Sequence, residues 1–513
     1  MVAKSREVID HLHCYGVCST YQETRRFKVS AAAQDKNVSQ FSASNGLIQT
    51  ISDNFNASIN TQNGIKQTNA MATIVTQTQK TLEVKSDRPD IPRLKQEDTS
   101  KVKLTQPKIS YFKGVKNPPM PKEFSLNQPL PLLVFCKQVI LRQRANHEDF
   151  QFIKSILQND SSPDFNGYNT ESIRTKGESL KPKTKVMFMP LLDRTPSDPS
   201  TVLTTMIEAE RVTNNAGQAI TVFTADQQLY RVVLDVIWTD PERFSNFVPR
   251  IGGMHWVMSF IGSIGILMQN SGLLPWLKSA FGGVEKMLLG KKFPMNVRAL
   301  RFAMLEILRG HVEHLDSFVS FNEFLESFCT ERKGDEIEEE NKEENKLAKH
   351  WVVNFIKPVL LMHLYIRAER EGDFALHLYI CHQMIPYFFA SGHVNYARYG
   401  ICYLRTLHKL PKCILEAFLK GEHVMRHQDG IWNGIWSDMM IETTYMRYGK
   451  GPGGIIGVTT QPRTVQIWTE SLPACTEVLK DLDEVRGKNC KVKSSHKEES
   501  STRIANDLVD RTK

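Results

Sequence analysis

At 513 residues, 41% hydrophobic and 24% charged, the chain has room for about three domains and the composition of a folded protein, not a disordered or fibrous one. A formal net charge of +9 points to an anionic partner, with nucleic acid first among the candidates. The nine cysteines are scattered and odd in number, with no Cys-x-x-Cys pair, so they indicate neither a disulfide framework nor a zinc ribbon. Reduced thiols in the nucleus or cytoplasm are the expectation.

Residues 1–45 read as an N-terminal helical, polar segment, and residues 1–30 lack the apolar stretch of a secretory signal. His11, His13, Cys14 and Cys18 fit no common zinc spacing, and the cysteines are expected to be buried at a helix end. Leu47 to Asp53 reads as a strand closing on Asp53-Asn54, followed by a polar loop through Asn63-Gly64. Met71 to Thr76 supplies a second strand, so residues 46–79 form an antiparallel hairpin. Residues 80–131 hold eight prolines, and between Lys80 and Lys122 eleven basic residues against five acidic ones, the composition of an extended surface linker.

Order returns in residues 132–268. Val186 to Leu192 is a strand, and Asp198-Pro199 opens a helix that runs to about Thr213. Ala219 to Ala225 is another strand, with Asp226 at its junction with the helix Gln227–Trp238. Strand and helix alternating in this way predict an α/β layer with parallel pairing. Residues 269–430 read as helical, interrupted by an acidic loop at 331–344. The apolar runs Met254–Met268 and Trp351–Ile366 are too short or too interrupted to span a bilayer, and no membrane partner is expected. Residues 431–484 hold an amphipathic helix, Ile431 to Tyr448, and a glycine-rich turn from Gly449 to Gly454; residues 485–513 read as a polar, disordered tail.

Metal-dependent phosphoryl transfer needs carboxylates from distant parts of a chain converging on one or two hard cations, Mg²⁺ or Mn²⁺. Asp53 and Asp226 both fall at strand ends, where ligands gather in open α/β sheets, although Asp226 also suits a plain helix N-cap. Glu442 and Asp438 lie one turn apart on one helix face, and either serves as a third acid. His255, after Gly252-Gly253, is placed to touch a phosphate or order a metal, or to be a hydrogen-bonded core histidine. The turn around Gly449 and Lys450 can cradle a phosphate or simply stop the helix.

Six blocks in order resemble one family. They are His13 to Tyr21, Ser52-Asp53-Asn54 with Asn63-Gly64, Thr224 to Tyr230, Gly252-Gly253-Met254-His255, Val394 to Tyr399, and Asp438–Glu442 with Gly449–Gly457. The family is that of transposon-derived RNase H-like DDE transposases, distantly similar to hAT-type enzymes. The resemblance implies an α/β fold, an RNase H-like mixed sheet core interrupted by a large all-helical insertion. It implies Asp53, Asp226 and Glu442 as a triad for Mg²⁺ or Mn²⁺, with His255 beside them, Asp438 as the alternative acid and DNA as the partner. Homo-oligomerisation is left open. Two departures point toward a degenerate or partial copy: Thr68 is followed by Asn69 where the family often has Thr-His, and no zinc-finger or helix-turn-helix module is present. Three readings therefore stand: a metal-dependent DNA-cutting or strand-transfer core, an inactive descendant binding nucleic acid or protein, and a helical scaffold without a site.

Overall fold

The computed structural model describes residues 6–33, 41–61, 64–80, 91–104, 106–115, 117–121, 181–282, 288, 293–309, 323, 346–430, 432–450, 454–455 and 461–489. The acidic loop at 331–344 and the whole 132–180 stretch lie outside them, as does residue 431.

A five-stranded mixed sheet organises the α/β part, in the order β3-β2-β1-β4-β5. Its strands are β1 (Ile48–Thr61), β2 (Gly64–Thr78), β3 (Thr184–Phe188), β4 (Thr221–Ala225) and β5 (Phe247–Ile251). β1 pairs antiparallel with β2 and parallel with β4; β2 pairs antiparallel with β3, and β4 parallel with β5. Only β2 therefore runs against the rest. The expected hairpin forms, but β1 does not close at Asp53: it continues to Thr61, with Asp53 opposite Ala72. The supposed polar loop alternates Asn54, Asn56 and Ser58 with Phe55, Ala57 and Ile59, which is the period of a strand. Phe55 and Ala57 are buried on one face, and that burial carries the strand onward.

β5 was not expected, because Phe247-Val248-Pro249-Arg250-Ile251 places a proline and an arginine in an apolar run. As the sheet's edge strand it tolerates Pro249 without losing a ladder bond on its paired side. Arg250 is buried but donates to Gln49 Oε1 at 2.7 Å and to the His423 carbonyl at 3.0 Å.

Alternation along the strands separates two faces. Met71, Phe223 and Ala225 pack with Val202, Met206 and Ala209 of α3 (Pro199–Asn215) and with Leu229 and Val233 of α4 (Gln227–Thr239). Asp198 caps α3 as expected, its carboxylate accepting from Ser200 N at 3.0 Å. The other face carries Ile51, Phe55, Ala72 and Ile74 against Met440, Ile441, Tyr445 and Met446. Each such fully buried apolar side chain contributes roughly 1.5–3 kcal/mol, which is what holds the segment bearing Asp438 and Glu442 against the sheet.

The helical half is α5 (Gly253–Leu267), α6 (Leu273–Ala280), α7 (Phe293–Arg309), α8 (Lys357–Glu371), α9 (Phe374–Ala390), α10 (Val394–His408) and α11 (Lys412–Leu419). Its apolar core joins Trp256, Phe260 and Ile264 of α5 to Val359, Met384, Phe388 and Tyr403. No helix among the described residues is long and apolar enough to cross a membrane.

Near the N-terminus, α1 (Arg6–Cys14) precedes α2 (Tyr21–Ala33). The cysteine expectation fails there: Cys14 is exposed and Cys18 half-exposed, because the turn after α1 is held by polar bonds such as His13 Nδ1 with the Cys18 carbonyl at 2.9 Å. At the other end, the helix assigned to 431–448 begins only at Ser437. Gly434-Ile435 (β7) instead pairs with Met425-Arg426 (β6) as a short ribbon. α12 (Ser437–Ile441) passes through a π-helical turn at Glu442–Met446 into α13 (Arg447–Lys450). The last helix among the described residues, α14 (Pro462–Asn489), packs on α2 and runs past the predicted start of a disordered tail at 485.

Candidate metal centre

Strand register brings the first groups together. The β1–β4 ladder stops at Ser52 opposite Ala225, and the β4–β5 ladder stops at Ala225 opposite Ile251. Asp53, Asp226 and Gly252 are each the next residue. They stand side by side where the parallel ladders of β1, β4 and β5 end, on the C-terminal side on which open α/β sheets bind ligands. Asp53 shares the parity of Ile51 and Phe55, so its side chain faces α12 and the π turn. Asp53 thus closes the parallel ladder, though not the strand.

Asp226 takes the helix-capping role weighed from the sequence and lies beside the cluster as well. Its Oδ1 accepts from Leu229 N at 2.7 Å, capping α4, while the carboxylate stays close enough to Asp53 and His255 to act on them electrostatically. Burial raises its pKa, against the Leu229 bond and the His255 charge.

Asp438 and Glu442, equivalent by sequence, separate in the structure. Asp438 is buried and saturated: it accepts from Met254 N and His255 N at 3.0 Å each, and from His255 Nδ1 at 2.9 Å. It therefore caps α5 and fixes the imidazole, leaving His255 Nε2 as the nitrogen free for another partner. These contacts explain Gly252-Gly253. A Cβ on Gly252 would lie 2.4 Å from Asp438 Oδ2, and one on Gly253 2.2 Å from the Trp436 ring. Gly252→Ala should cost about 1–3 kcal/mol in chemical denaturation, because buried carboxylate and backbone must part. Gly282→Ala, with nothing within 4 Å of the added carbon, is the neutral control.

One ligand atom each from Asp53, His255 and Glu442 lie within 4.8 Å of one another. Asp53 Oδ1 accepts from Asn54 N at 2.7 Å, whereas Oδ2 is buried with no hydrogen-bond partner. An orphaned buried carboxylate oxygen is costly unless a cation or proton meets it. Burial, with Asp226 and Glu442 nearby and His255 opposing, pushes the Asp53 carboxyl up to about 7. Burial works to lower the His255 pKa, but Asp438, then Asp53 and Asp226, overcome it and raise the imidazole to about 10. Without a cation the site thus holds its own positive charge on His255. The donor set fits a divalent ion: carboxylates suit Mg²⁺ or Mn²⁺, and an imidazole nitrogen adds a donor that Mn²⁺ accepts more readily than Mg²⁺.

Neighbouring motifs find other roles. A Cβ on Gly449 would sit 2.8 Å from the Phe55 ring, so this glycine permits close helix–strand contact, and Lys450 Nζ lies 5.6 Å from the same ring's centroid. Residues 451–453 of the proposed phosphate cradle fall outside the described residues. Asn69 is exposed and has the parity of Met71, on the sheet face away from Asp53. The departure from Thr-His there removes nothing that faces the carboxylates. Tyr396, noted in the sequence only as part of a block, is partly buried near Asp226 and Asp438, and burial plus those acids raises its pKa. Its ring also meets Trp256 and Phe388.

Fold and site define a mixed α/β protein with an acid–histidine cluster where the parallel ladders end, closed by a helix from late in the chain. The chain belongs to the family described as Domain of unknown function (DUF8702), whose model matches residues 164–513, well over half of its length. That match includes Asp226, His255, Asp438 and Glu442 and begins after the hairpin that carries Asp53. No curated protein and no solved structure matches the chain.

Proposed function

We propose that the chain is a transposon-derived, RNase H-like DDE transposase core, binding Mn²⁺ or Mg²⁺ for phosphoryl transfer on DNA. The observation that carries this reading is the convergence of Asp53, His255 and Glu442 ligand atoms within 4.8 Å, beside Asp226. The strand order supports it as well: an acid on the central first strand, a second just past the adjacent parallel strand, and a third on a late helical segment. The helices between β5 and α12 correspond to the helical insertion of such a core.

In this reading Asp53, Glu442 and, through its second oxygen, Asp226 hold the ion, and Asp438 orients His255 toward it. A bound divalent ion would polarise a scissile phosphate and lower the pKa of an attacking water or hydroxyl. Binding displaces protons, since Asp53 must ionise and His255 must lose its proton to ligate.

The test is a nicking and strand-transfer assay on supercoiled DNA with Mn²⁺ or Mg²⁺, comparing the wild type with Asp53→Asn and Glu442→Gln. Wild-type cleavage reduced at least about 100-fold in both variants is expected. Equal cleavage by all three would remove the assignment. Wild-type Mn²⁺ binding without cleavage would instead favour an inactive descendant that keeps the site.

A further inference from the structure

Among the described residues a second group of ligand atoms lies within 4.8 Å: Glu369, His377 and His423. It is separate from the Asp53 centre. Glu369 lies in the last turn of α8, His377 in the first turn of α9, and His423 follows α11 just before β6. The three residues are 2%, 2% and 0% exposed, so no substrate reaches them.

The hydrogen bonds around the group leave a gap of a particular kind. His377 Nδ1 pairs with Glu369 Oε1, and its Nε2 meets Tyr403 Oη at 3.2 Å. His423 Nδ1 reaches the Phe418 carbonyl at 3.3 Å, but His423 Nε2 is buried with no partner. An orphaned imidazole nitrogen on a residue whose ligand atom lies within 4.8 Å of a carboxylate and a second imidazole is what a shared cation would satisfy. Two imidazoles and one carboxylate are the donors of a borderline transition ion, not of Mg²⁺ or Ca²⁺. Tyr403 would then hold the far nitrogen of His377, the kind of outer contact that fixes ligating histidines.

We propose that Glu369, His377 and His423 bind a divalent transition ion, Zn²⁺ by the chemistry of the donors, as a structural clamp. The clamp joins α8 and α9 to the segment that enters the sheet. That segment is already wired to the central strand: Glu422 accepts from Leu47 N at 2.8 Å through its side chain and from Gln49 Nε2 at 2.7 Å through its carbonyl. Two buried arginines, Arg250 and Arg426, also act on His423; Arg250 is engaged by Gln49 and the His423 carbonyl.

The experiment measures the metal content of the full chain after incubation with Zn²⁺ and exhaustive dialysis. The wild type and Asp53→Asn should each retain about one Zn²⁺ per chain, and His423→Gln close to none. A wild type that holds no Zn²⁺, or a His423→Gln that holds as much as the wild type, overturns the proposal. Since His423→Gln risks misfolding, a second measurement uses the wild type alone. Co²⁺ in place of Zn²⁺ should give visible ligand-field bands distinct from aqueous Co²⁺, and their absence would likewise overturn it. Asp53→Asn separates this site from the strand-end centre: loss of Zn²⁺ in that variant would assign the ion there and sink the second site.

Discussion

Asp53→Asn should abolish Mn²⁺ binding and yet stabilise the metal-free protein, by on the order of 2–4 kcal/mol at pH 8. Both effects have one cause. The Asp53 carboxyl is 5% exposed, with one oxygen unpartnered, and its pKa stands at about 7 against an ordinary 3.8. The native state therefore holds that proton more tightly than the unfolded chain does. Stability linked to it is present at low pH and lost as pH rises from about 4 through about 7. His255 acts in the same direction at higher pH. Its pKa is raised to about 10, so the stability from its charge is complete below about 6.5 and lost as pH climbs through 10. Removing the Asp53 charge takes some support from His255, but Asp438 supplies the larger part, so the net sign holds. Chelated wild-type protein should weaken steadily in urea from pH 5 to pH 9, and Asp53→Asn should weaken less. Added Mn²⁺ should reverse the loss in the wild type only, with affinity rising with pH as protons leave the ligands. An Asp53→Asn variant less stable than the wild type at pH 8 would mean that the carboxylate serves the fold and not an ion.

How far the site was legible in the sequence depends on which force acted on each residue. Asp198-Pro199 and the Asp226 junction were readable because capping is local chemistry, set by three or four neighbouring residues. The extent of β1 was not, because Asn54, Asn56 and Asn60 look like a loop until Phe55 and Ala57 find Met440 and Tyr445 across the chain. β5 was hidden for a similar reason: Arg250 is tolerated in a buried strand only because Gln49 and His423 meet it from 201 and 173 residues away. In the late helix, Trp432, Ile435 and Trp436 imitate helical spacing, but Ile435 pairs with Met425 and the helix starts at Ser437. Glu442 and Asp438 were indistinguishable by periodicity, since both lie on one face. What divides them is Gly252-Gly253, whose missing side chains let the α5 backbone close on Asp438 alone. That signal was in the sequence, as two glycines before a histidine, but its partner was 184 residues away.

Asp438→Asn should do the opposite of Asp53→Asn, destabilising the protein by about 3–5 kcal/mol. The substitution keeps the shape but not the acceptors. Asp438 Oδ1 accepts from Met254 N and Met439 N, and Oδ2 from His255 N and Nδ1. An amide has one carbonyl oxygen, so its NH₂ must face backbone N–H groups on one side or the other, leaving buried donors unpaired at the start of α5. The imidazole then loses its main anionic partner, and the His255 pKa should fall from about 10 toward the usual histidine range, observable by NMR titration of the ring. Mn²⁺ affinity should weaken without vanishing, because Asp53 and Glu442 remain while the orientation of His255 is lost. Glu442→Gln is the matching control: Glu442 is half-exposed and should change stability by less than about 1 kcal/mol while removing most of the ion affinity. The pair of variants separates bracing from ligation in two residues one turn apart. Were Asp438 itself the ligand, its Asn variant would be as blind to Mn²⁺ as Asp53→Asn, and the Glu442 variant would bind the ion normally.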